Sequence, residues 1–160
     1  MNEWSDLLVA TAGAAAALTG LLFVGVSISL TKILTLPTLP TRALISLTLL
    51  LTILIQSILL LVPKQSSYST GVEVLVPGLI AWMAITRMDI YTLRKIDKPY
   101  KGQHKWNMFL DQIALLPYII GGISFLMIGY SGMYWIVPAF IISFIKAVLD
   151  AWVLLVEIHR

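Results

Sequence analysis

Four residues near the end of the chain, Ser143, Lys146, Asp150 and Glu157, fall at i, i+3, i+7 and i+14. That spacing puts them on one side of an α-helix. They interrupt an otherwise apolar stretch, residues 135–158, and Ala139 continues the same side. An ionisable group at membrane depth costs ~2.5–3.5 kcal/mol on insertion scales and is retained where it faces protein or water. The chemistry such a stripe offers is ion coordination and charge selection rather than bond breaking. Lys146 lies about 12 residues into the stretch, or ~18 Å at ~1.5 Å per residue, close to a bilayer midplane. Asp150 is one turn further, and Asp111 approaches from another helix at a comparable depth. Two readings are open. Lys146 and Asp150 can be a buried pair that fixes helix register, or part of a wetted path. Lysine four residues before aspartate is the weaker order for a helical pair, and Glu157 prolongs the stripe beyond what one bridge needs.

Other polar residues are fewer. Gln56 follows Thr48 and Thr52 at four-residue intervals. The threonines are expected to bond back one turn, whereas the Gln56 amide needs a partner on another helix. Asp111 shares a face with Leu115, Tyr118, Gly122, Phe125 and Gly129, and Pro117 with Gly121-Gly122 makes that helix bendable. Pro77-Gly78 should loosen the segment that carries Glu73, Ala84, Arg87, Tyr91 and Arg94 on one face. Asp89 falls on a different side and is expected to meet headgroup water. His104 and His159 stand alone at interfaces without ligand spacing and are assigned to no metal. There is no cysteine, phosphate loop, HExxH or nucleophile–base set. The expectation is a protein that is not an enzyme and holds no cofactor.

The elements that must position these residues are membrane helices. The 160 residues are 59% hydrophobic and 12% charged, against about 25% charged in soluble domains, and mean hydropathy is +0.92. Five apolar segments, residues 7–34, 43–62, 72–93, 108–130 and 135–158, each reach the ~20 residues that cross a hydrocarbon core. The expected architecture is all-α, one polytopic bundle of five transmembrane helices over residues 1–160, without internal repeat. The acidic start is unlike a signal peptide. Lys32, Arg42, Arg94, Lys95, Lys98, Lys101, Lys105 and Arg160 collect on one side, and Lys64 with Glu3, Asp6 and Glu73 on the other. Basic loops stay cytoplasmic, which predicts the N-terminus outside and the C-terminus inside. Trp4, Tyr130, Tyr134 and Trp135 then mark the outer interface, and Tyr100 and Trp106 the inner.

The first segment gathers Gly13, Ala16, Ala17, Gly20, Ser27 and Thr31 on one face. Small residues let helix backbones approach closely in lipid, so Gly13, Ala17 and Gly20 are read as a packing seam, within the chain or between copies. The stretch Ala-Leu-Thr-Gly-Leu-Leu-Phe-Val-Gly-Val-Ser, residues 17–27, resembles the opening helix of small, uncharacterised prokaryotic multispan membrane proteins. The resemblance implies a membrane fold, and no activity. In the basic linker, residues 94–107, Pro99 and Gly102 suggest a turn rather than an amphipathic helix. Its Lys95, Lys98, Lys101 and Lys105 could hold anionic lipid headgroups at ~1 kcal/mol each, besides fixing topology. The partners expected are the lipid bilayer and further copies of the chain, with no nucleic acid, in a cell inner (plasma) membrane. The function these features fit is permeation by a homo-oligomeric ion channel lined by the last helix. The alternative is a non-transporting assembly partner or regulator whose polar stripe docks on another membrane protein. Ser143, Lys146, Asp150, Glu157, Asp111 and Gln56 are the residues expected along an ion path.

Overall fold

The computed structural model describes residues 4–35, 38–96 and 98–158, apart from the side chain of Ile158. Glu3, His159 and Arg160, named above, lie outside the described residues. Among the described residues six α-helices follow in order: α1 (Ser5–Ile28), α2 (Leu30–Thr35), α3 (Leu39–Leu61), α4 (Ser67–Lys95), α5 (Lys101–Met127) and α6 (Met133–Ile158). Five of them, all but the short α2, are long and apolar enough to cross a membrane.

The helix ends follow local chemistry. Ser66 caps α4 by accepting a hydrogen bond from the Ser69 N–H at 3.1 Å. Val62, which precedes Pro63, is extended at φ −62° and ψ 123° and closes α3, as steric conflict with a following proline requires. The α5–α6 turn depends on Gly129, whose φ of +86° suits a residue without Cβ. The first apolar segment, expected as one span over residues 7–34, is instead divided at Ser29, where the backbone leaves helical geometry and α2 begins. The basic linker also differs. Among the described residues of the linker a short 3-10 turn, Lys98–Tyr100, lies between α4 and α5, and Gly102 already lies within α5. Pro99 marks the turn; Lys95, Lys101 and Lys105 sit on helix ends, exposed or half-buried.

Helices α3, α4, α5 and α6 each pack on the next, and α6 returns to α3, which closes a four-helix ring. Helix α1 leans on the outside of α3 and scarcely touches α6. Inside the ring lie Leu49, Ile53, Val74, Ile85, Leu115, Tyr118, Ile136 and Phe140. Helices α4 and α5 approach closely at Gly122, where an added Cβ would lie 2.9 Å from that of Leu75. Outward-facing Leu21, Phe23, Ile28, Ile58, Ile80, Met127 and Trp152 are exposed, a surface suited to hydrocarbon rather than water. One end of the ring gathers the basic residues; at the other, Trp4 meets Tyr134 edge-on, with ring centroids 5.8 Å apart.

Helix α1 uses Leu8, Thr11 and Ala15 as its buried side. Gly13, Ala17 and Gly20 are exposed, and a Cβ added to Gly13 or Gly20 would meet nothing within 4 Å. Among the described residues the Gly13, Ala17 and Gly20 face therefore makes no seam within the chain.

Candidate functional site

The polar stripe of α6 points into the ring. Ser143 is fully buried, and Lys146 and Asp150 are each 4% exposed. Glu157, two turns beyond Asp150, is half-buried near the end of α6, outside this group. The Lys146 ammonium donates to Asp150 Oδ2 on its own helix and lies 2.9 Å from Oδ1 of Asp111 on α5. The second contact is an attraction between charges rather than a directed hydrogen bond, because Oδ1 of Asp111 has no donor in line with it. Asp111 Oδ2 accepts from Asn107 Nδ2 one turn away, at 3.4 Å. The expected approach of Asp111 to the α6 stripe is thus realised as a lysine held between two carboxylates.

Polar contacts continue on the side away from the basic end. Ser143 Oγ accepts from the Tyr118 hydroxyl and donates to the Ala114 carbonyl, both at 3.3 Å. Gln56 on α3 donates through Nε2 to the Val74 carbonyl on α4 at 2.7 Å, the cross-helix partner its amide requires. Its Oε1 and the neighbouring Ser57 hydroxyl are buried without a hydrogen-bond partner. Thr48 and Thr52 bond back to the carbonyls one turn earlier at 2.7 Å, as expected. Farther out, Gln65 donates to Glu73, and Ser69 and Thr70 join the same set. A cavity of about 510 Å³ opens there between Ser5, Leu60, Pro63, Gln65 and Tyr130.

Two residues on the basic side depart from expectation. Asp89 does not meet headgroup water: it is 0% exposed, and neither carboxylate oxygen has a hydrogen-bond partner. The reason lies in α4, whose buried side runs Val74, Gly78, Ala81, Ile85, Asp89 and Thr92, while Arg87, Tyr91 and Arg94 face outward. His104 is not a lone interfacial residue either. It is 7% exposed, with Nε2 3.1 Å from the Asp89 carbonyl and 3.8 Å from Asp89 Oδ1. A sequence signal for it existed. His104, Asp111, Tyr118 and Phe125 recur every seven residues on α5, and all four are buried. Beside Asp111, Gln112 joins α5 to α4 by accepting from Trp82 Nε1 at 2.5 Å and donating to Thr86 at 3.1 Å.

The interior of the ring therefore holds three buried carboxylates, Asp89, Asp111 and Asp150, against one lysine and one histidine. Carboxyl groups thus outnumber basic side chains in the core. Burying uncompensated charge is costly, so a surplus carboxyl there has to be met by a cation or a proton. Among the described residues no three His, Cys, Asp or Glu side chains are grouped to hold a metal ion. Comparison with family models, with curated proteins and with solved structures found no match to this chain.

Proposed function

We propose that the chain is a membrane permeation protein that carries cations across a cell inner (plasma) membrane through the interior of its α3–α6 ring, with α6 supplying the central lining. The observation that carries this reading is the excess of carboxylate over lysine in the core. A structural bridge is complete with one cation and one anion; Asp89 and Asp111 exceed it. Further support comes from the sequence of polar groups along the ring, from the half-buried Glu73 and Gln65 through the buried Gln56, Ser143 and Tyr118 to Lys146 and then Asp89 and His104. Polar and ionisable groups in membrane helices mark ion pathways and proton relays.

The stripe's partners lie in the same chain, so the path runs through each protomer rather than along an axis between protomers. A homo-oligomer would assemble through the exposed Gly13, Ala17 and Gly20 face of α1, which is free to approach a second copy. A regulator that docks through the α6 stripe finds that surface already covered. The excess of basic residues at one end orients that end toward the cytoplasm and the N-terminus outward. The chain lacks cysteine, so an impermeant thiol reagent on intact cells should label Ser67→Cys and spare Gln103→Cys; the reverse pattern would invert the orientation.

The main test is flux. Purified protein in liposomes should dissipate imposed proton, Na⁺ or K⁺ gradients faster than empty vesicles. Absence of flux for all of them, under voltage as well as concentration gradients, would rule out permeation and leave Lys146 as an internal clamp.

A further inference from the structure

We propose that Asp89 and His104 form a proton-exchange site that loads the core from the basic end, so that the cation carried is a proton. The inference rests on the permeation reading and names its ion. Asp89 is the unusual group. Its carboxyl is wholly enclosed, and both oxygens lack hydrogen-bond partners. Such a group is a receptor for a single proton, neutral when loaded and costly to leave charged. A metal ion would instead ask for several oxygens converging at ~2.0–2.6 Å, a convergence not found among the described residues.

His104 supplies the way in. Its ring is almost buried, lies near the start of α5 among the basic residues, and presents Nε2 to both the carbonyl and the carboxylate of Asp89. In the transfer, an Nε2–H bond of imidazolium breaks and an O–H bond forms at Asp89 Oδ1, leaving imidazole and a neutral carboxylic acid. The 3.8 Å separation must close to ~2.6–3.2 Å, or be bridged by one water, for the proton to pass. The charged and titratable groups facing Asp89 are His104 and Asp111 from α5 and Lys146 and Asp150 from α6, the last three acting on it or responding to it at longer range. Helix α3, which also packs on α4, has Arg42 as its single ionisable residue. A proton on Asp89 is felt electrostatically by the Asp111–Lys146–Asp150 set, whose ammonium can exchange carboxylate partners as charge arrives.

Proton entry into liposomes under a K⁺-diffusion potential, read by an internal pH dye, tests this. Asp89→Asn, which keeps the shape and removes the proton receptor, should lower proton flux at least tenfold without lowering the melting temperature. His104→Ala should also be slow, and added imidazole should restore flux, which a purely structural histidine would not allow. Wild-type protein should in addition take up a membrane-soluble carbodiimide at Asp89, located by peptide mass, and lose proton flux as it does so. That measurement needs no variant to fold. Na⁺ or K⁺ flux without proton flux would overturn the proton assignment and leave permeation standing, whereas no flux of any cation would remove both. Asp89→Asn that conducts protons like the wild type, or carbodiimide that leaves Asp89 unlabelled, would also overturn it.

Discussion

Helices α1 and α6 each carry a face that departs from plain hydrophobicity, and the two faces point opposite ways. On α6 the departure is polar, and the ring encloses it: Ser143, Lys146 and Asp150 are between 0% and 4% exposed. On α1 the departure is one of size, and Gly13, Ala17 and Gly20 remain exposed with open space around the two glycines. The difference follows from cost. A charge in hydrocarbon has to find protein or water, so a polar stripe dictates helix rotation. A small-residue face permits close approach but incurs no penalty against lipid, so the fold can leave it unused. Mutations should therefore weigh heavily on one face and lightly on the other.

The largest effect belongs to Lys146. Replacing it by methionine would leave Asp111 and Asp150 side by side in the ring with no counter-charge. Breaking a buried ion pair by removal of one partner costs ~3–5 kcal/mol, so Lys146→Met should lower the melting temperature in mild detergent markedly. The double change Lys146→Met/Asp150→Leu should recover part of the loss, with Asp111 still unneutralised. A Lys146→Met protein as stable as the wild type would mean that the cluster is open to water, and that the two faces differ less than their burial suggests.

This contrast was legible in the sequence only on one side. The i, i+3, i+7 placement of Ser143, Lys146 and Asp150 announced an inward-facing stripe, and Asp111 was expected nearby, because a midplane charge has few ways to be satisfied. The five long helices followed from apolar length in the same manner. Asp89 was missed for the opposite reason. It lies only six residues before the end of α4, near enough to an interface for solvent to seem available. Burial at that point depends on how α4 is rotated against α5, a property of packing rather than of depth. Arg87, Tyr91 and Arg94, which share a face by their spacing, turn outward and leave Asp89 on the buried side of α4. The break at Ser29 was not legible either, since residues 26–31, Val-Ser-Ile-Ser-Leu-Thr, carry no proline or glycine, and hydroxyl side chains can bond back within a helix.

A second, smaller effect separates glycines by position. A Cβ at Gly132, in the turn before α6, would lie 2.7 Å from the Gly121 carbonyl and 2.5 Å from the Phe125 ring. The obstacle includes backbone, so Gly132→Ala should cost ~1–3 kcal/mol by overpacking. Gly13→Ala adds the same methyl group to open space and should not lower stability. Thermal melts of the two variants check the pair. Equal losses would show that the α1 face is covered by something other than lipid, and would shift attention to that contact.

The smallest effect on the isolated protomer, and the most informative about assembly, is expected at Gly20. Leucine there is a large change on a helix, yet among the described residues nothing beyond the helix's own backbone lies within 4 Å of the added Cβ. Surface substitutions away from specific contacts stay within about ±0.5 kcal/mol, so Gly20→Leu should melt as the wild type does when the protein is monomeric. In a self-associating protein the same substitution forces two backbones apart and removes the close contacts that hold helices together in lipid. Mass measurement in mild detergent should therefore find the wild type as an oligomer and Gly20→Leu shifted toward monomer. Proton or cation flux per protomer should persist in the variant, because the proposed path lies inside the α3–α6 ring and α1 stands outside it. Loss of flux together with loss of the oligomer would place the path between protomers instead, and the small-residue face of α1, rather than the enclosed stripe of α6, would become the wall that ions meet.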